Sequence, residues 1–419
     1  MKRDRLEGNH KQHKGVVRHC MVVHAHYPLG ETRVERQAMA LIDHGSKVDI
    51  ICLRGRHEEA VALVDGAQVH RLPVRRHKGS GPVAQLFEYL FFFLLAFFRL
   101  TTLHRQRRYD VVQIHNLPDF LVFVAVIPKL TGARVILDLH DLMPEFYAER
   151  FRQPLSSLPV RIIRWQEWLS CRFADHVITV TELWRQALIE RGQPPDKVTV
   201  VMNVADDRVF FQDHTTGVSK DGRGLHLIYH GSMSYHYGLD LMLQAVQLVR
   251  QTAPDVHLTI HGGGAYRRTL ENLVDELELQ DHVLVSTHFV STEELATLIR
   301  TADLAIVPYR DGVFTGGILP TKLMEYAALG VPAIAARTPT ISAYFDETMV
   351  EFFTPGDAEE LADCILRLHR DRTQLADLAH NIAGFGAQYN WPEQSENYLQ
   401  LVGRLMEQKG EHADSAVFE

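Results

Sequence analysis

The feature of this chain that most limits its fold is the regular alternation of short apolar runs with longer stretches of helical periodicity. Short runs rich in valine, isoleucine and leucine are typical of buried parallel strands, and the helices between them supply the crossovers. The alternation therefore predicts an α/β protein with parallel sheets. The predicted strands cover residues 16–23, 47–53, 69–72, 111–114, 134–139, 176–180 and 198–201 in the first half, and 225–229, 256–261, 283–288, 304–307 and 331–335 in the second.

The length of the chain and one weakly patterned stretch predict how these elements divide. A chain of 419 residues exceeds the usual size of a single hydrophobic core, so we expect two domains. Residues 206–224 are polar, carry glycine and lack periodicity, which is typical of a linker. We therefore predict an N-terminal domain over residues 16–205 and a C-terminal domain over 225–388, with disordered or frayed tails at 1–15 and 408–419.

Composition argues against several classes of protein. The formal net charge of −8 argues against bulk nucleic-acid binding, which needs a basic face. The four cysteines are scattered without a Cys-x-x-Cys pair, which fits reduced thiols in a cytosol rather than a disulfide framework. Residues 1–15 are polar and lack the apolar core of a signal peptide. We therefore expect a cytoplasmic protein with no nucleic-acid partner.

One apolar stretch, from Tyr89 to Phe98, is rich in phenylalanine. It is well short of the ~20 residues that a helix needs to cross a bilayer, so we do not expect a transmembrane span. Basic residues lie on both sides of it, and an aromatic helix with cationic flanks can lie in an anionic membrane surface. The alternative is a helix packed on the sheet with its phenylalanines in the core. We expect the protein to be peripheral at the inner face of the plasma membrane if the first alternative holds.

Residues 319–330 combine a helix with polar groups at its N-terminal end. A proline and a threonine mark its start and a glycine its end, and Lys322 and Glu325 are three apart on one face. A glycine-bearing loop at 312–317 precedes it, and the free N–H groups of a helix N-terminus suit a phosphate. Lys322 adds a cation, and the Glu325 carboxylate can accept two hydrogen bonds from a sugar diol. Phosphate plus ribose indicates a nucleotide; the alternative is a surface helix with an ordinary ion pair.

This segment, Pro-x-Lys-x-x-Glu-Tyr followed by Ala-Leu-Gly-x-Pro, resembles the donor site of family-4-type retaining glycosyltransferases of GT-B fold. Further blocks at residues 22–28, 110–116, 138–141 and 201–204 resemble the family in its usual order. The resemblance implies two doubly wound Rossmann-like domains that face each other across a cleft, and a helix at 389–407 that returns to the first domain.

The same resemblance implies a function in cell-surface polysaccharide or glycolipid synthesis. The donor would be a nucleoside-diphosphate sugar and the acceptor a glycan or a lipid-linked glycan, with retention of configuration and with no cofactor and no metal. Two alternatives remain open: a sugar-nucleotide epimerase of the same fold, and a catalytically silent sugar-nucleotide-binding partner of a polysaccharide assembly complex.

Four residues of the first half are candidates for the acceptor side of the cleft. His115 follows a predicted strand, and in the resembled family a histidine in this block contacts the donor sugar; the alternative is a hydrogen-bonded loop histidine. Gly30 lies in a turn that enters a helix, near the donor phosphates and the acceptor by resemblance. Arg33 pairs with an acceptor anion or lies on an exposed helix face. Asp141 acts on an acceptor hydroxyl or belongs to an N-cap cluster.

The second half departs from the family pattern in its charged groups. The family has an arginine where this chain has Ser232, a lysine where it has Tyr237, and a glutamate where it has Gly317. Lys322 would supply the charge lost elsewhere, and loss of activity is the other outcome. His24, His26, His115, His140 and Asp141 could converge and imitate a metal site, but no tight ligand motif is present, so we predict no metal. The predicted catalytic residues are His115, Asp141 and Lys322, and the predicted donor-binding residues are Gly30, Gly231, Ser232, Gly263, Arg310, Gly316, Gly317, Thr321, Lys322 and Glu325.

Overall fold

The computed structural model describes residues 16–28, 31–74, 82–212, 224–286, 288 and 290–415. The tail predicted at 1–15, most of the predicted linker and Gly30 lie outside these residues. Two sheets, both flanked by helices, account for the described chain, and the predicted α/β class is confirmed.

The first sheet has eight strands in the order β3-β4-β2-β1-β5-β6-β7-β8. All neighbouring pairs among the described strands are parallel, except the antiparallel hairpin of β3 and β4 at one edge. Its strands are β1 (Arg18–His26), β2 (Lys47–Leu53), β3 (Val61–Val64), β4 (Ala67–Leu72), β5 (Val111–His115), β6 (Arg134–Leu139), β7 (His176–Thr179) and β8 (Val198–Val200). Its helices are α1 (Thr32–Asp43), α2 (Pro82–Arg107), α3 (Val126–Leu130), α4 (Met143–Arg150), α5 (Leu158–Phe173) and α6 (Glu182–Glu190).

Helices cover both faces of this sheet, as right-handed crossovers in a doubly wound sheet require. Side chains of α2, α5, α6 and the 3₁₀ segment Asp119–Ala125 share one hydrophobic cluster. Side chains of α1 and of the last helix, α14 (Trp391–Ser415), share the cluster on the opposite face. The first sheet is therefore covered by the C-terminal end of the chain as well as by its own crossover helices.

The second sheet has six strands in the order β11-β10-β9-β12-β13-β14, all parallel. Its strands are β9 (Leu225–Ser232), β10 (Val256–Gly263), β11 (Val283–Ser286), β12 (Leu304–Val307), β13 (Ala333–Ala336) and β14 (Glu351–Phe353). Its helices are α7 (Leu239–Val249), α8 (Arg267–Glu276), α9 (Thr292–Arg300), α10 (Thr321–Leu329), α11 (Pro339–Tyr344), α12 (Ala358–Arg370) and α13 (Arg372–Gln388).

The short strands β3 and β14 have too few residues to show a period, and the sequence analysis missed both of them.

The helix at the end of the chain is longer than predicted. It begins at Trp391 and continues to Ser415, so the frayed tail predicted from residue 408 is wrong up to Ser415. Its buried face fastens it to the first sheet, because the Tyr398 hydroxyl donates to Gln113 Oε1 at 2.7 Å and Gln394 Oε1 accepts from the Met202 N–H at 2.8 Å. The return of the chain end to the first sheet, which the resemblance implied, is present.

Helix α2 also exceeds the prediction. It spans 26 residues rather than the ten of the phenylalanine-rich stretch, and within the described chain it is the one helix long and apolar enough to cross a membrane, by length and composition. One stripe of the helix, which includes Phe92, Ala96 and Leu100, is fully buried against the sheet. The opposite stripe, which includes Phe87, Phe91 and Phe98, is exposed. The core alternative is therefore correct for one side of α2, and the membrane alternative stays a prediction for the exposed side.

Candidate functional site

A cavity of about 490 Å³ lies between the carboxyl ends of the strands of the two sheets. Ligands bind at this edge of doubly wound sheets because the loops that follow the strands present polar groups there. The first sheet contributes His140, Asp141, Val180 and Asn203 to the lining. The second sheet and its loops contribute His230, Gly231, Ser232, Tyr237, Leu295, Tyr309, Phe314, Ile318, Leu319, Pro320, Thr321, Lys322 and Glu325.

Among the described residues that line this cavity, Lys322 is the cation. Its Nζ donates to the Tyr309 hydroxyl at 3.1 Å and lies 4.7 Å, 5.0 Å and 5.0 Å from the ring centres of Tyr229, Tyr237 and Tyr309. Burial lowers the pKa of Lys322 to about 8, and the nearby Glu325 carboxylate opposes that shift. The electron-rich ring faces stabilise the ammonium without neutralising it, so its charge stays available to an anionic ligand.

Gly231 is a glycine because of this lysine. A side chain at Gly231 would bring a Cβ within 3.3 Å of Lys322 Cε, and the backbone there has a φ of +114°, which disfavours other residues. The strand-end glycine therefore leaves room for the lysine to extend along the cavity wall.

The N-terminus of α10 adds backbone donors beside Lys322. The first intrahelical bonds to Pro320 come from the N–H groups of Leu323 and Met324, so the N–H groups of Thr321 and Lys322 precede the helical ladder. Pro320 is the N-cap and provides no side-chain hydrogen bond. Thr321, Lys322 and the helix dipole thus meet at one wall of the cavity, an arrangement that suits a phosphate group.

Glu325 lies one turn further along α10 and also lines the cavity. Its Oε2 is 3.0 Å from His230 Nε2, at the end of β9. The imidazole ring of His230 packs edge-on against Tyr326, so the histidine is held between the helix and the strand. Neither Glu325 Oε2 nor His230 Nε2 has a hydrogen-bond partner among the described residues, so the carboxylate can still accept hydrogen bonds from the hydroxyls of a ligand.

On the opposite wall, Asn116 fixes the loop that follows β6. Its Oδ1 accepts from the His140 N–H at 2.8 Å, and its Nδ2 donates to the Asp141 carbonyl at 2.6 Å. Burial raises the pKa of Asp141 to about 6 and lowers that of His140 to about 3. Near neutral pH the cavity thus presents a neutral imidazole and a carboxyl group that titrates just below neutrality.

His115 is not at the surface of the cleft, and its predicted position is wrong. It is the last residue of β5 rather than a residue beyond it, and it pairs with Val23 on one side and Asp138 on the other, which leaves it fully buried. Its Nδ1 lies 3.1 Å from His140 Nε2. A central strand extends one residue further than its apolar run, so His140 is the histidine that lines the cavity, with His115 behind it.

Neither of the two predictions for Arg33 is correct. Arg33 is buried, and it forms a two-point ion pair with Asp138 in which Nη2 lies 2.9 Å from Oδ1 and Nε lies 3.0 Å from Oδ2. Burial alone would raise the pKa of Asp138, but Arg33 and the His115 hydrogen bond hold it well below its ordinary value. Arg33 Nη1 also donates to Asn203 Oδ1 at 2.9 Å, so the ion pair orients a residue of the cavity lining.

His115, Asp138 and His140 place ligand atoms within 4.8 Å of one another, as a metal site would. However, the Asp138 oxygens already accept hydrogen bonds from Arg33 and from Gln37 at 2.9 Å. A guanidinium beside this carboxylate disfavours a second cation. We therefore assign the cluster to the support of His140, and the absence of a metal stays a prediction.

Comparison with known proteins agrees with this geometry. Residues 30–203 match the family model described as a glycosyl transferase 4-like domain, and residues 214–384 match that of glycosyl transferases group 1. The chain is a family-4-type glycosyltransferase of GT-B fold. The two matches meet near the gap between β8 and β9, so each sheet corresponds to one family domain.

Relatives and solved structures are similar over different shares of their length. The chitobiosyldiphosphodolichol beta-mannosyltransferase of Candida albicans is 22% identical over 391 residues, which are 87% of this chain and 83% of that protein. The GDP-mannose-dependent alpha-(1-6)-phosphatidylinositol monomannoside mannosyltransferase of Mycolicibacterium smegmatis is 35% identical over 104 residues, which are 24% of this chain and 27% of that protein. Sucrose-phosphate synthase from Thermosynechococcus elongatus has the same fold, with a TM-score of 0.76 and 19% identity over 93% of this chain and 99% of that one.

The glycosyltransferase has Gly317 where the family pattern has a glutamate, and the fold explains the change. A Cβ at Gly317 would lie 2.0 Å from the ring of Trp184 on α6. The Gly317 carbonyl accepts from the Thr181 hydroxyl at 3.4 Å, and the Gly316 carbonyl accepts from the Thr340 N–H at 3.0 Å. Gly316 and Gly317 therefore lie in a loop that is docked on the first sheet, behind the lining rather than in it.

A carboxylate of the first domain accepts hydrogen bonds from backbone N–H groups of the same loop. Glu149 Oε2, on α4, accepts from the Phe314 and Thr315 N–H groups at 2.9 Å and 3.2 Å. Phe314 packs on Phe146 with ring centres 5.3 Å apart. The loop N–H groups that were predicted to meet a phosphate thus bind Glu149, and the phosphate donors that line the cavity are those of α10.

Two further predicted donor residues lie outside the main cavity. Arg310 pairs with Asp240 at 2.5 Å, and its guanidinium lies 4.3 Å from the ring centre of Tyr235. Gly263 lines an adjoining cavity of about 420 Å³. That cavity shares His230, Gly231 and Leu295 with the first and is completed by His261, Gly262, His288 and Val290.

His230, Tyr229 and Tyr309 are the site residues that the sequence analysis did not single out. Tyr229 and His230 lie in the second half of β9 and Tyr309 follows β12, and this position near the carboxyl end of a buried strand was the signal that could have found them. Of the predicted residues, the main cavity brings together Asp141, Gly231, Ser232, Thr321, Lys322 and Glu325.

Proposed function

We propose that this glycosyltransferase moves a sugar from a nucleoside-diphosphate sugar to a glycan or a lipid-linked glycan, in cell-surface polysaccharide or glycolipid synthesis. The observation that carries the proposal is the position of Lys322 and the α10 N-terminus opposite His140 and Asp141 across one cavity. A diphosphate at the first wall would hold its sugar against the second wall, where an acceptor hydroxyl can reach the anomeric carbon.

Stabilisation of the leaving group is the main catalytic contribution of the residues on α10. As the bond between the anomeric carbon and the diphosphate oxygen breaks, negative charge grows on that oxygen. The Lys322 ammonium and the Thr321 and Lys322 N–H groups already line the wall where that oxygen would lie. Preorganised donors of this kind lower the barrier because they need no reorientation during the reaction.

We infer that the reaction retains configuration and needs no metal. The acceptor oxygen bonds to the anomeric carbon on the face that the diphosphate leaves, and the acceptor proton passes to the departing phosphate oxygen. Lys322 and the helix dipole supply the positive charge that a divalent cation provides in other phosphate sites. The names of the two relatives contain one beta and one alpha linkage, so the anomer of the product must be measured. An inverted product would assign the proton of the acceptor to Asp141 instead.

The nucleoside would extend from the α10 N-terminus into the adjoining cavity. Glu325 lines the first cavity beside His230, a residue that both cavities share, and its carboxylate would accept hydrogen bonds from the ribose hydroxyls. Gly262 and Gly263 then let the base approach the backbone at the end of β10. GDP-mannose is the donor in the name of the Mycolicibacterium relative, and it is the first sugar nucleotide to test.

We further propose that α2 contacts an anionic membrane from the cytosolic side. Its exposed stripe holds three phenylalanines over a distance of three helical turns, whereas its other stripe belongs to the core. All four cysteines are free and buried, which fits a reducing compartment. Replacing Phe92 would break the core, so the test replaces Phe87 and Phe91 with Ser and measures binding to anionic vesicles. Unchanged vesicle binding by this variant would remove α2 from the contact.

The release of nucleoside diphosphate, measured with and without acceptor, tests the function itself. Transfer releases it only when acceptor is present, epimerisation consumes no acceptor, and a silent binding partner releases none.

A panel of sugar nucleotides with thermal-shift detection identifies the donor, because a ligand at about 100 times its dissociation constant stabilises the fold by ~2.7 kcal/mol. Turnover in the presence of a chelator tests the independence from metal.

A further inference from the structure

Helix α5 carries an exposed apolar stripe that the proposed function does not use. Its members are Leu158, Ile162, Trp165 and Trp168, which recur at helical spacing on one face. Trp165 is 62% exposed and Leu158 is 68% exposed, although tryptophan is a costly residue to leave in water. A row of large apolar side chains at this exposure marks an interaction surface rather than scattered surface residues.

The opposite face of α5 is fixed in the domain, so the stripe does not serve as core. Val160 and Cys171 are fully buried there, and Glu167 is buried and lies 2.7 Å from Arg191. The aromatic stripe is therefore presented outward by a helix whose orientation the fold has already set.

Arginines are interleaved with the stripe. Arg161 and Arg172 are exposed on the same face, and the Arg172 guanidinium lies 5.9 Å from the ring centre of Trp168. Tryptophan prefers the boundary between lipid and water, and arginine pairs with phosphate groups there. The chemistry of the face therefore matches a surface of anionic phospholipids better than a neutral protein partner.

A short 3₁₀ segment links α5 to α2 on one side of the first sheet. The 3₁₀ segment Asp119–Ala125 lies between the two helices, because Phe120 packs on Phe93 of α2 at 6.1 Å and Phe123 packs on Phe173 of α5 at 5.0 Å. Leu130, at the end of α3, follows this segment and is 78% exposed. Helix α2, the 3₁₀ segment and α5 lie on one side of the first sheet and form one surface. The exposed apolar residues of α2 lie at one margin of that surface, and those of α5 lie at the other.

We propose that α5 is a second membrane contact, in which Trp165 and Trp168 enter the interface of an anionic bilayer while Arg161 and Arg172 bind lipid phosphates. The proposal rests on the membrane contact proposed for α2 and adds an orientation to it. One helix can roll on a membrane, but two separated helices define a plane. The plane holds the first domain in one orientation, and the loop at Asp141 then keeps a constant position relative to a lipid-linked acceptor.

Tryptophan fluorescence tests this proposal separately from the α2 contact. The described part of α2 contains no tryptophan, and of the chain's four tryptophans Trp184 is buried and Trp391 is half-buried beside Arg36. The full-length protein is added to vesicles of phosphatidylglycerol and phosphatidylcholine that contain brominated lipid. We expect quenching of the emission, and its loss in the variant Trp165→Phe/Trp168→Phe. Vesicle binding without any quenching would overturn the proposal and leave α2 as the contact.

Vesicle partition measures the contribution of the stripe. Trp165→Ser/Trp168→Ser should lower the partition coefficient at least about tenfold, because two large aromatic side chains no longer enter the interface. Leu284→Ser, which changes an exposed leucine of the second sheet, is the matched control and should partition like the unchanged protein. Equal partition of all three proteins would overturn the proposal, and so would a dimer in solution that only the tryptophan variant dissociates. Transfer to a water-soluble acceptor should be unchanged, so a failed membrane contact remains distinguishable from a failed glycosyltransferase.

Discussion

The two walls of the cleft hold their charges in different ways. On the wall of the first sheet, Arg33 and Asp138 neutralise each other behind His140. On the wall of the second sheet, Lys322 is surrounded by tyrosine rings that stabilise its charge without cancelling it. A matched pair gives shape to a site, whereas an unmatched cation gives it affinity for an anion. The first wall should therefore fail by unfolding when it is altered, and the second by loss of chemistry.

The largest effect should follow removal of a partner from the matched pair. Asp138→Ala leaves the Arg33 guanidinium buried without its carboxylate, and it should lower the free energy of unfolding by ~3–5 kcal/mol in urea denaturation. Because the folded-state pKa of Asp138 is depressed, its contribution is present above its ordinary pKa of 3.8 and is lost as the pH falls. Glu182→Gln, in an exposed pair with Arg185, is the control and should cost less than ~1 kcal/mol. Equal effects of the two changes would end the contrast between the walls.

The unmatched lysine should show the reverse behaviour. Lys322→Met should lower turnover ~10²–10³-fold, the scale of one preorganised donor to a developing charge. The same change should leave the free energy of unfolding unchanged or raise it, because it removes a buried charge that has no ion-pair partner within 4 Å among the described residues. Initial rates with donor and acceptor, together with urea denaturation, measure both quantities. Lys129→Met is the control for a surface lysine, and near-normal turnover of the Lys322 variant would assign the leaving group to other residues.

Glu325 combines features of both walls: its carboxylate lies 3.0 Å from His230, and it also lines the cavity where the ligand would bind. Glu325→Ala should weaken nucleoside diphosphate binding by ~1.5–3 kcal/mol in calorimetry, as expected for the loss of hydrogen bonds to a charged group. Glu271→Ala, at an exposed pair on α8, should leave the affinity unchanged. An unaltered affinity of the Glu325 variant would place the ribose elsewhere.

His140 should separate sugar recognition from nucleotide binding. His140→Ala should reduce turnover ~10-fold, the value of about one hydrogen bond to the transferred sugar, and should leave the affinity for the bare nucleoside diphosphate unchanged. His115→Ala removes the buried ring that supports His140. It should also reduce turnover, and it should measurably lower the free energy of unfolding. Weaker binding of the bare diphosphate to the His140 variant would contradict this division between the walls.

The pH dependence of nucleotide affinity should show the smallest effect. With a pKa of about 8 in the free protein, Lys322 is charged below that pH and loses its proton above it, so affinity should hold up to about pH 8 and then fall by at most ~10-fold per pH unit. Calorimetry between pH 7 and pH 9.5 measures this. Lys322→Arg keeps its charge over this range and should give a flat profile. A flat profile of the unchanged protein would mean that another group carries the charge.

The α10 residues of the second wall were accessible to sequence analysis because they lie close together in the chain. Thr321, Lys322 and Glu325 occupy two turns of one helix, and a helix fixes the relative positions of residues three and four apart. The sequence likewise predicted the strands β2 and β6 with correct bounds, since both are mostly apolar runs of the length of a buried strand.

The first wall was less accessible, because its members come from separate elements. Arg33 lies on α1 and Asp138 on β6, and their contact spans 105 residues of sequence. Nothing local marks Arg33 as a buried residue, since arginine at a helix start is ordinarily exposed. The position of His115 was wrong for a related reason: strand pairing with β1 and β6 extended β5 by one residue and buried it.

The sequence by itself determined the α/β class, the helix that presents Lys322 and Glu325, and the family. These depend on residue type and short spacing, which a chain carries before it folds. Only the tertiary structure decided that Arg33 pairs with Asp138, that His140 rather than His115 lines the cavity, and that Trp184 fills the space beside Gly317. It also decided which sides of α2 and α5 remain exposed. Burial and ion pairing depend on what packs against a residue from distant parts of the chain, and that information is absent from any local pattern.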